Sequence, residues 1–180
     1  NVWLHVTDKL YQTLPLYSNL QTTGVYIYAT DMKIKSRKAV IHAESEIKNE
    51  YKKDKKIAYQ VELIDRDGSL VKSFKGDETL LKAGESTVLK AAAEVEGLHF
   101  WSWGYGYLYT VKTSLWVDGK KVDEVATRTG FRKTRFADGK IWLNDRVLQM
   151  KGFAQRTSNE WPGVGMSIPA WLSDYSNGMM

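Results

Sequence analysis

Apolar and polar side chains alternate with a period of two through roughly the first 150 residues, the pattern of strands that rest one face on a core. The pattern predicts strands at Val25–Ala29, Ala39–Ile47, Ile57–Ile64, Leu70–Phe74, Ser86–Ala92, Tyr107–Val117 and Lys121–Thr129. Turn-forming residues recur between them at the spacing of an antiparallel sandwich. Asp67-Gly68 and Asp118-Gly119 tolerate the positive φ of tight turns and predict hairpins. Ala83-Gly84-Glu85 marks a further turn, while Leu80–Lys82 and Leu89–Val95 fit helix or strand equally. In the Ile57–Ile64 run, Ile57, Tyr59, Val61 and Leu63 share one face, leaving Gln60 and Glu62 to water. Tyr109, Val111, Thr113 and Leu115 likewise oppose Thr110, Lys112, Ser114 and Trp116.

The texture changes after Thr129. Short runs at Lys133–Phe136, Lys140–Leu143 and Arg146–Lys151 are separated by turns at Ala137-Asp138-Gly139 and Asn144-Asp145. A stretch rich in Gly, Ser, Asn and Pro follows from Gly152 to Ile168. Pro169 suits the first turn of a helix, with Trp171, Leu172 and Tyr175 at helical spacing behind it. So short a helix is marginal alone, which points to missing partners downstream. The chain opens on Asn1 rather than Met, as a cut or processed N-terminus would.

Composition narrows the classes. Hydrophobic residues at 43% and charged residues at 26% describe a globular domain, and no apolar run approaches the roughly 18–20 residues of a membrane span. The first residues have neither the basic lead nor the long apolar stretch of a signal peptide. With no cysteine, a disulfide framework, a thiolate metal site and a cysteine nucleophile are excluded. The net charge of +5 comes partly from Lys52-Lys53 and Lys55-Lys56, read as a solvated loop between strands. No base-stacking aromatic lies in that cluster, so no nucleic-acid partner is expected.

Three segments together carry a resemblance. Gly130-Phe131-Arg132, then Asp138-Gly139-Lys140-Ile141-Trp142-Leu143-Asn144, then Leu148-Gln149-Met150-Lys151-Gly152 resemble the junction of family 2 glycoside hydrolases, which include β-galactosidases, β-glucuronidases and β-mannosidases. Phe100-Trp101-Ser102 with Tyr107-Leu108-Tyr109 is similar to that family's approach to a sandwich strand, and Asn1–Val6 to the exit from a jelly-roll domain. The resemblance implies an all-β, immunoglobulin-like antiparallel sandwich over 1–128. Over 129–180 it implies a β-hairpin, then the first strand and partial helix of a truncated (β/α)8 catalytic barrel. Asp145 and Val147 depart from a Gly and a Pro common in the family, and Trp103 and Gly106 replace prolines. Ala154-Gln155-Arg156-Thr157 stands where many members carry an Asn-Arg-His-Glu run, so their sugar assignments do not transfer.

Retaining glycosidases need two carboxyl groups about 5–5.5 Å apart, and the resemblance places both glutamates on later barrel strands. Glu160, the only Glu after Thr129, matches neither motif, so no catalytic residue is assigned. Arg156, Asn159 and Trp161 follow the first barrel strand and have sugar-binding chemistry: an aromatic face and hydrogen-bonding side chains. The plain alternative is a solvated loop. Trp101, Trp103, Tyr105 and Tyr107 fit the end of a core or a domain interface, or else a sugar platform. His5, His42 and His99 lack metal-ligand spacing, Asp65-Arg66-Asp67 is a turn, and no phosphate loop or nucleophile elbow occurs. No metal or cofactor is expected.

Two functions follow. One is a non-catalytic scaffold segment of a periplasmic or secreted glycosidase, with the parent's jelly-roll and barrel domains as partners and a β-glycoside as the parent's substrate. The other is a free-standing carbohydrate-binding or adhesive module. The Gly152–Met180 tail favours the first, because a self-sufficient module has no use for a barrel entry.

Overall fold

A computed structural model describes residues 4–15 and 21–150, together with the backbone of Ser158–Asn159 and Gly163–Val164. The chain divides into two compact units, Asn1–Leu148 and Gln149–Met180. In the first unit the strands are β1 (Leu10–Gln12), β2 (Val25–Lys33), β3 (Lys38–Asn49), β4 (Lys55–Ile64), β5 (Leu70–Lys75), β6 (Thr79–Leu81) and β7 (Ser86–Val95). They continue with β8 (Tyr109–Val117), β9 (Lys120–Thr129), β10 (Thr134–Ala137), β11 (Lys140–Leu143) and β12 (Arg146–Leu148). In the second unit β13 (Ser158–Asn159) pairs antiparallel with β14 (Gly163–Val164). Among the described residues there is no helix, and none is long and apolar enough to cross a membrane. The expected helix after Pro169 and the strand residues from Lys151 onward lie outside the described residues.

Two antiparallel sheets make an immunoglobulin-like sandwich. In one, β7 lies along one edge of β3, and β2 and β1 share the other edge end to end. In the other, the order is β5-β4-β8-β9, with β6 continuing the β5 edge of β4. The inward set Ile57, Tyr59, Val61 and Leu63 has no exposed surface, as the alternation predicts. Val111, Thr113 and Leu115 from β8 are equally closed off, and Ile41, Ala43 and Ile47 from β3 complete the inner layer. Tyr59 survives in this core because its hydroxyl meets that of Ser45 at 2.7 Å. Burial pushes its phenol up to about 12, so it stays a neutral hydrogen-bonding group.

The chain changes sheet three times: after β3, after β6 and after β7. Asn49 ties the first two crossings together. Its Nδ2 donates to the carbonyls of Lys53, Leu81 and Lys82, at 3.0, 3.1 and 3.1 Å, and its Oδ1 accepts from the Tyr51 N–H. Its own backbone is held by Gly84 and Glu85, so one fully buried amide satisfies two loops that lack ladder partners.

Where the strands differ from expectation, pairing is the reason. Leu89–Val95 is strand, because β7 pairs with β3 over ten residues, from Ala39↔Val95 to Lys48↔Ser86. Lys55 and Lys56 are not loop but the start of β4, paired with Leu81 and Leu80. The strand expected from Tyr107 begins at Tyr109, since Tyr107 is turned to donate its hydroxyl to Asp65. The run from Arg146 ends at Leu148, where pairing with β11 stops. The turns fall as the sequence predicts. Asp118 and Gly119 have φ of 49° and 74°, Asp138 and Gly139 54° and 66°.

A carboxylate anchors the segment entering β2. Glu46 accepts from the backbone N–H and hydroxyl of Thr23, at 2.5 and 2.9 Å, and from the Thr13 hydroxyl at 3.2 Å. Those donors, the Thr23 N–H first, hold its carboxyl below the usual range. A depressed folded pKa adds stability above the unfolded value, about 4.3, that is lost as pH falls through the folded pKa. Urea unfolding at pH 7 and about pH 3 therefore shows a larger acid loss in the wild type than in Glu46→Gln. Equal losses would remove Glu46 as an acid-sensitive anchor.

Candidate functional site

The third crossing, between β7 and β8, meets the chain leaving β9, and here the sequence motifs converge. Trp101 N–H donates to the Phe131 carbonyl at 2.8 Å, which lays the Phe100-Trp101 segment against Phe131. Phe131 itself is buried in the core beside Tyr109, with ring centroids 5.7 Å apart. Gly130 is required by space, since a Cβ there would sit 2.8 Å from the Tyr107 carbonyl oxygen and 2.9 Å from Trp101 Cβ. Arg132 stacks over the Trp101 ring at 5.3 Å.

Asn144 closes the junction. Its Nδ2 donates to the Trp101 carbonyl at 2.9 Å, its Oδ1 accepts from the Lys133 N–H at 3.0 Å, and its own N–H donates to the Lys133 carbonyl at 2.9 Å. The three-stranded meander β10–β11–β12 is thereby hydrogen-bonded to the end of the sandwich. Asn144 and Asp145, both with positive φ (49° and 63°), form its second turn. The Asp that replaces a common Gly tolerates that conformation, and Lys133 Nζ pairs with it at 2.8 Å.

Between the crossing and the meander lies a cleft of ≈ 430 Å³, with Leu98, Phe100 and Leu143 among its apolar lining residues and Arg37, His99, Tyr105 and Arg146 among its polar ones. Arg37 crosses from the β2–β3 turn, where its φ is 56°, and donates to the carbonyls of Leu98 and Gly97. Its Nη2 lies 2.7 Å from His99 Nε2. A guanidinium only donates, so Nε2 accepts and the His99 proton sits on Nδ1, 2.8 Å from the Tyr105 hydroxyl. His99 also stacks on Tyr107, with centroids 4.5 Å apart. The carboxylate of Asp65, accepting from Tyr107, pushes that phenol up to about 12.

The aromatic quartet divides. Tyr107 belongs to the core, and Trp101 is half-buried in the junction, whereas Trp103 and Tyr105 are exposed at the cleft on a tight turn at Gly104. No Asp or Glu lines this cleft, so it holds no acid/base pair, and among the described residues no group of His, Asp and Glu could hold a metal. His42 is engaged elsewhere, stacked on Tyr28 and 2.8 Å from the Thr30 hydroxyl. Of the expected sugar contacts, the backbone of Asn159 lies in β13 opposite Gly163, while Arg156 and Trp161, like Glu160, lie outside the described residues. The clasp role of Asn144 and the Arg37–His99 pair were not anticipated. The sequence signals for the former are its place at the end of the Asp138–Asn144 motif segment and the Asn-Asp pair between two short apolar runs.

Comparison with known proteins finds the same architecture. The chain is 32% identical to a β-glucuronidase of Formosa agariphila over 181 aligned residues, covering all of this chain and 18% of the relative. A solved β-glucuronidase from glycoside hydrolase family 2 superposes with a TM-score of 0.83 at 30% identity, over 97% of this chain and 18% of that one. A putative β-galactosidase from Bacteroides fragilis shares the fold, with a TM-score of 0.77 at 22% identity over 96% of this chain and 25% of that one. The chain therefore spans about a fifth of the length of the relatives it matches first. The model of the glycosyl hydrolases family 2 matches residues 25–132, the sandwich strands through the Gly-Phe-Arg motif, and the chain belongs to that family.

Proposed function

We propose that the chain is a non-catalytic scaffold segment of a longer family 2 enzyme whose whole protein hydrolyses β-glycosides with retention. The observation that carries this is the clasp: the motif residues Gly130, Phe131, Trp101 and Asn144 serve packing and hydrogen bonding, and they fix where the chain leaves the sandwich. Retention needs two carboxyl groups about 5–5.5 Å apart. In this reading they come from parts of the parent beyond this chain. A rigid sandwich positions them, because a displacement of about 1 Å at a catalytic group costs on the order of 100-fold in rate.

In the same reading, residues 1–128 are the immunoglobulin-like domain and 129–180 begin the catalytic barrel, with the sugar-binding jelly roll preceding both. Arg156, Asn159 and Trp161 contact the sugar in the assembled parent. The names of the relatives favour a β-glucuronide or β-galactoside as substrate. The parent is placed in the periplasm or outside the cell, as the resemblance implies.

The test compares this chain with its full-length parent on a panel of chromogenic β-glycosides. Turnover by the parent alone supports the scaffold and identifies the sugar. Turnover by the chain alone overturns it, since the reacting carboxyl groups would then have to lie within these residues.

A further inference from the structure

At the end of the sandwich away from the junction, the outer face of the second sheet carries a groove that the scaffold reading leaves without a role. Trp116 and Tyr109 both lie in β8, seven residues apart, so the groove sits roughly 24 Å along the strand from Tyr109 and Phe131. It encloses ≈ 490 Å³, within the range of roughly 300–1,000 Å³ for small-ligand pockets.

The groove exists because Ala58 pairs with Trp116 across the β4–β8 ladder. A methyl group beside an indole leaves a step, and Gln60, next on the same face, lines its continuation. The walls are Lys56, paired with Glu78, and Lys75, with Asp118 at the β8–β9 turn. Lys56 holds the Glu78 carboxyl below its usual range, so Glu78 is an acceptor at neutral pH. Two lysines against two carboxylates leave the lining with no net charge. Its polar groups mix donors and acceptors.

The indole itself is the distinguishing feature. Trp116 Nε1 is buried, and it is the one buried side-chain polar atom among the described residues with no hydrogen-bond partner. Buried donors without an acceptor are uncommon in folded proteins and call for an explanation. An apolar ring face with an unmet N–H, beside carboxylates, amines and an amide, matches a pyranose, which offers C–H faces and hydroxyls that donate and accept. Neutrality of the lining excludes the strong preference for an anionic sugar that a purely cationic site has.

We propose that this groove is an accessory carbohydrate-binding site for a neutral pyranose unit of a glycan, stacked on Trp116, with a ligand hydroxyl as acceptor for its Nε1–H. Because Nε1 is closed off in this structure, the ligand reaches it only when a groove side chain moves aside, and we assign that movement to Lys56, whose side chain is 68% exposed. Such a site would hold polymer to the enzyme without taking part in hydrolysis, and it does not depend on where the parent's catalytic groups lie.

The test titrates the ¹⁵N-labelled chain with cellotetraose, xylotetraose and mannotetraose, and separately with glucuronate, following the indole N–H resonances. Trp116→Phe assigns its own signal by removing it. The expected result is a saturable shift of the Trp116 resonance with at least one neutral glycan and none with glucuronate at the same concentrations. Ala58→Leu, which fills the step while the amide spectrum stays dispersed, weakens that binding at least tenfold. A Trp116 signal that ignores all three glycans overturns the proposal. So does a response confined to Trp101 and Trp103, a shift with glucuronate only, or undiminished binding to Ala58→Leu.

Discussion

Replacing Asn49 by Ala destabilises the sandwich by on the order of 3 kcal/mol, with the melting temperature falling by roughly 6–12 °C. The size follows from what the amide holds. Its Nδ2 serves the carbonyls of Lys53, Leu81 and Lys82, and its Oδ1 serves the Tyr51 N–H, at a site with no exposed surface. A buried polar group left unpaired costs about 1–3 kcal/mol, and water entering the vacated space recovers part of the total. Asn49→Asp fails as well, although its shape is retained, because a carboxylate cannot donate to three carbonyls. Urea unfolding followed by circular dichroism measures both variants. A loss below about 1 kcal/mol for Asn49→Ala would mean that the crossings are held by their backbone contacts alone.

Gly130→Ala is the second large effect, and it bears on the junction directly. The added Cβ meets the Tyr107 carbonyl oxygen at 2.8 Å, Trp101 Cβ at 2.9 Å and Leu108 Cδ2 at 3.0 Å. The first two belong to the backbone or are bonded to it, so relief requires the Trp101–Phe131 pairing to open. Overpacking of this kind costs typically 1–3 kcal/mol. Near-UV circular dichroism of the tryptophans reports the displaced Trp101. Gly106→Ala is the control, since its Cβ meets only Trp101 Nε1 at 3.7 Å and the expected change is within about 0.5 kcal/mol. Equal stability of the two variants would deny Gly130 its packing role.

Much of the sandwich was legible because strand burial has a period that the sequence carries on its surface. Ile57, Tyr59, Val61 and Leu63 declare their face with no knowledge of what covers them. Hairpins were legible where residues that tolerate positive φ stand between alternating runs, as at Asp118-Gly119. The site was less legible. Gly130-Phe131-Arg132 marks the family, yet nothing in those three residues says that Gly130 faces Trp101 and Tyr107, more than twenty positions earlier. Trp116 alternates like any outward strand residue, and only the folded chain shows that its Nε1 is buried with no hydrogen-bond partner among the described residues and that Ala58 stands across the ladder from it.

The sequence by itself determined the all-β class, the inward faces of the central strands, most hairpin positions and the family motif. Each of these depends on neighbours within a few residues or on a fixed order along the chain. Tertiary structure decided the rest. Lys90-Ala91-Ala92-Ala93 suits a helix locally and becomes strand because β3 offers ten partners in register. Asn49 reads as the polar end of a strand and becomes the tie between two crossings, because loops more than thirty residues on return to it. His99 takes its tautomer from Arg37, which reaches it across the end of the sandwich. Local alternation sets which side of a strand is dry. Only the closed fold brings distant backbone carbonyls, rings and charges close enough for a single side chain to satisfy them.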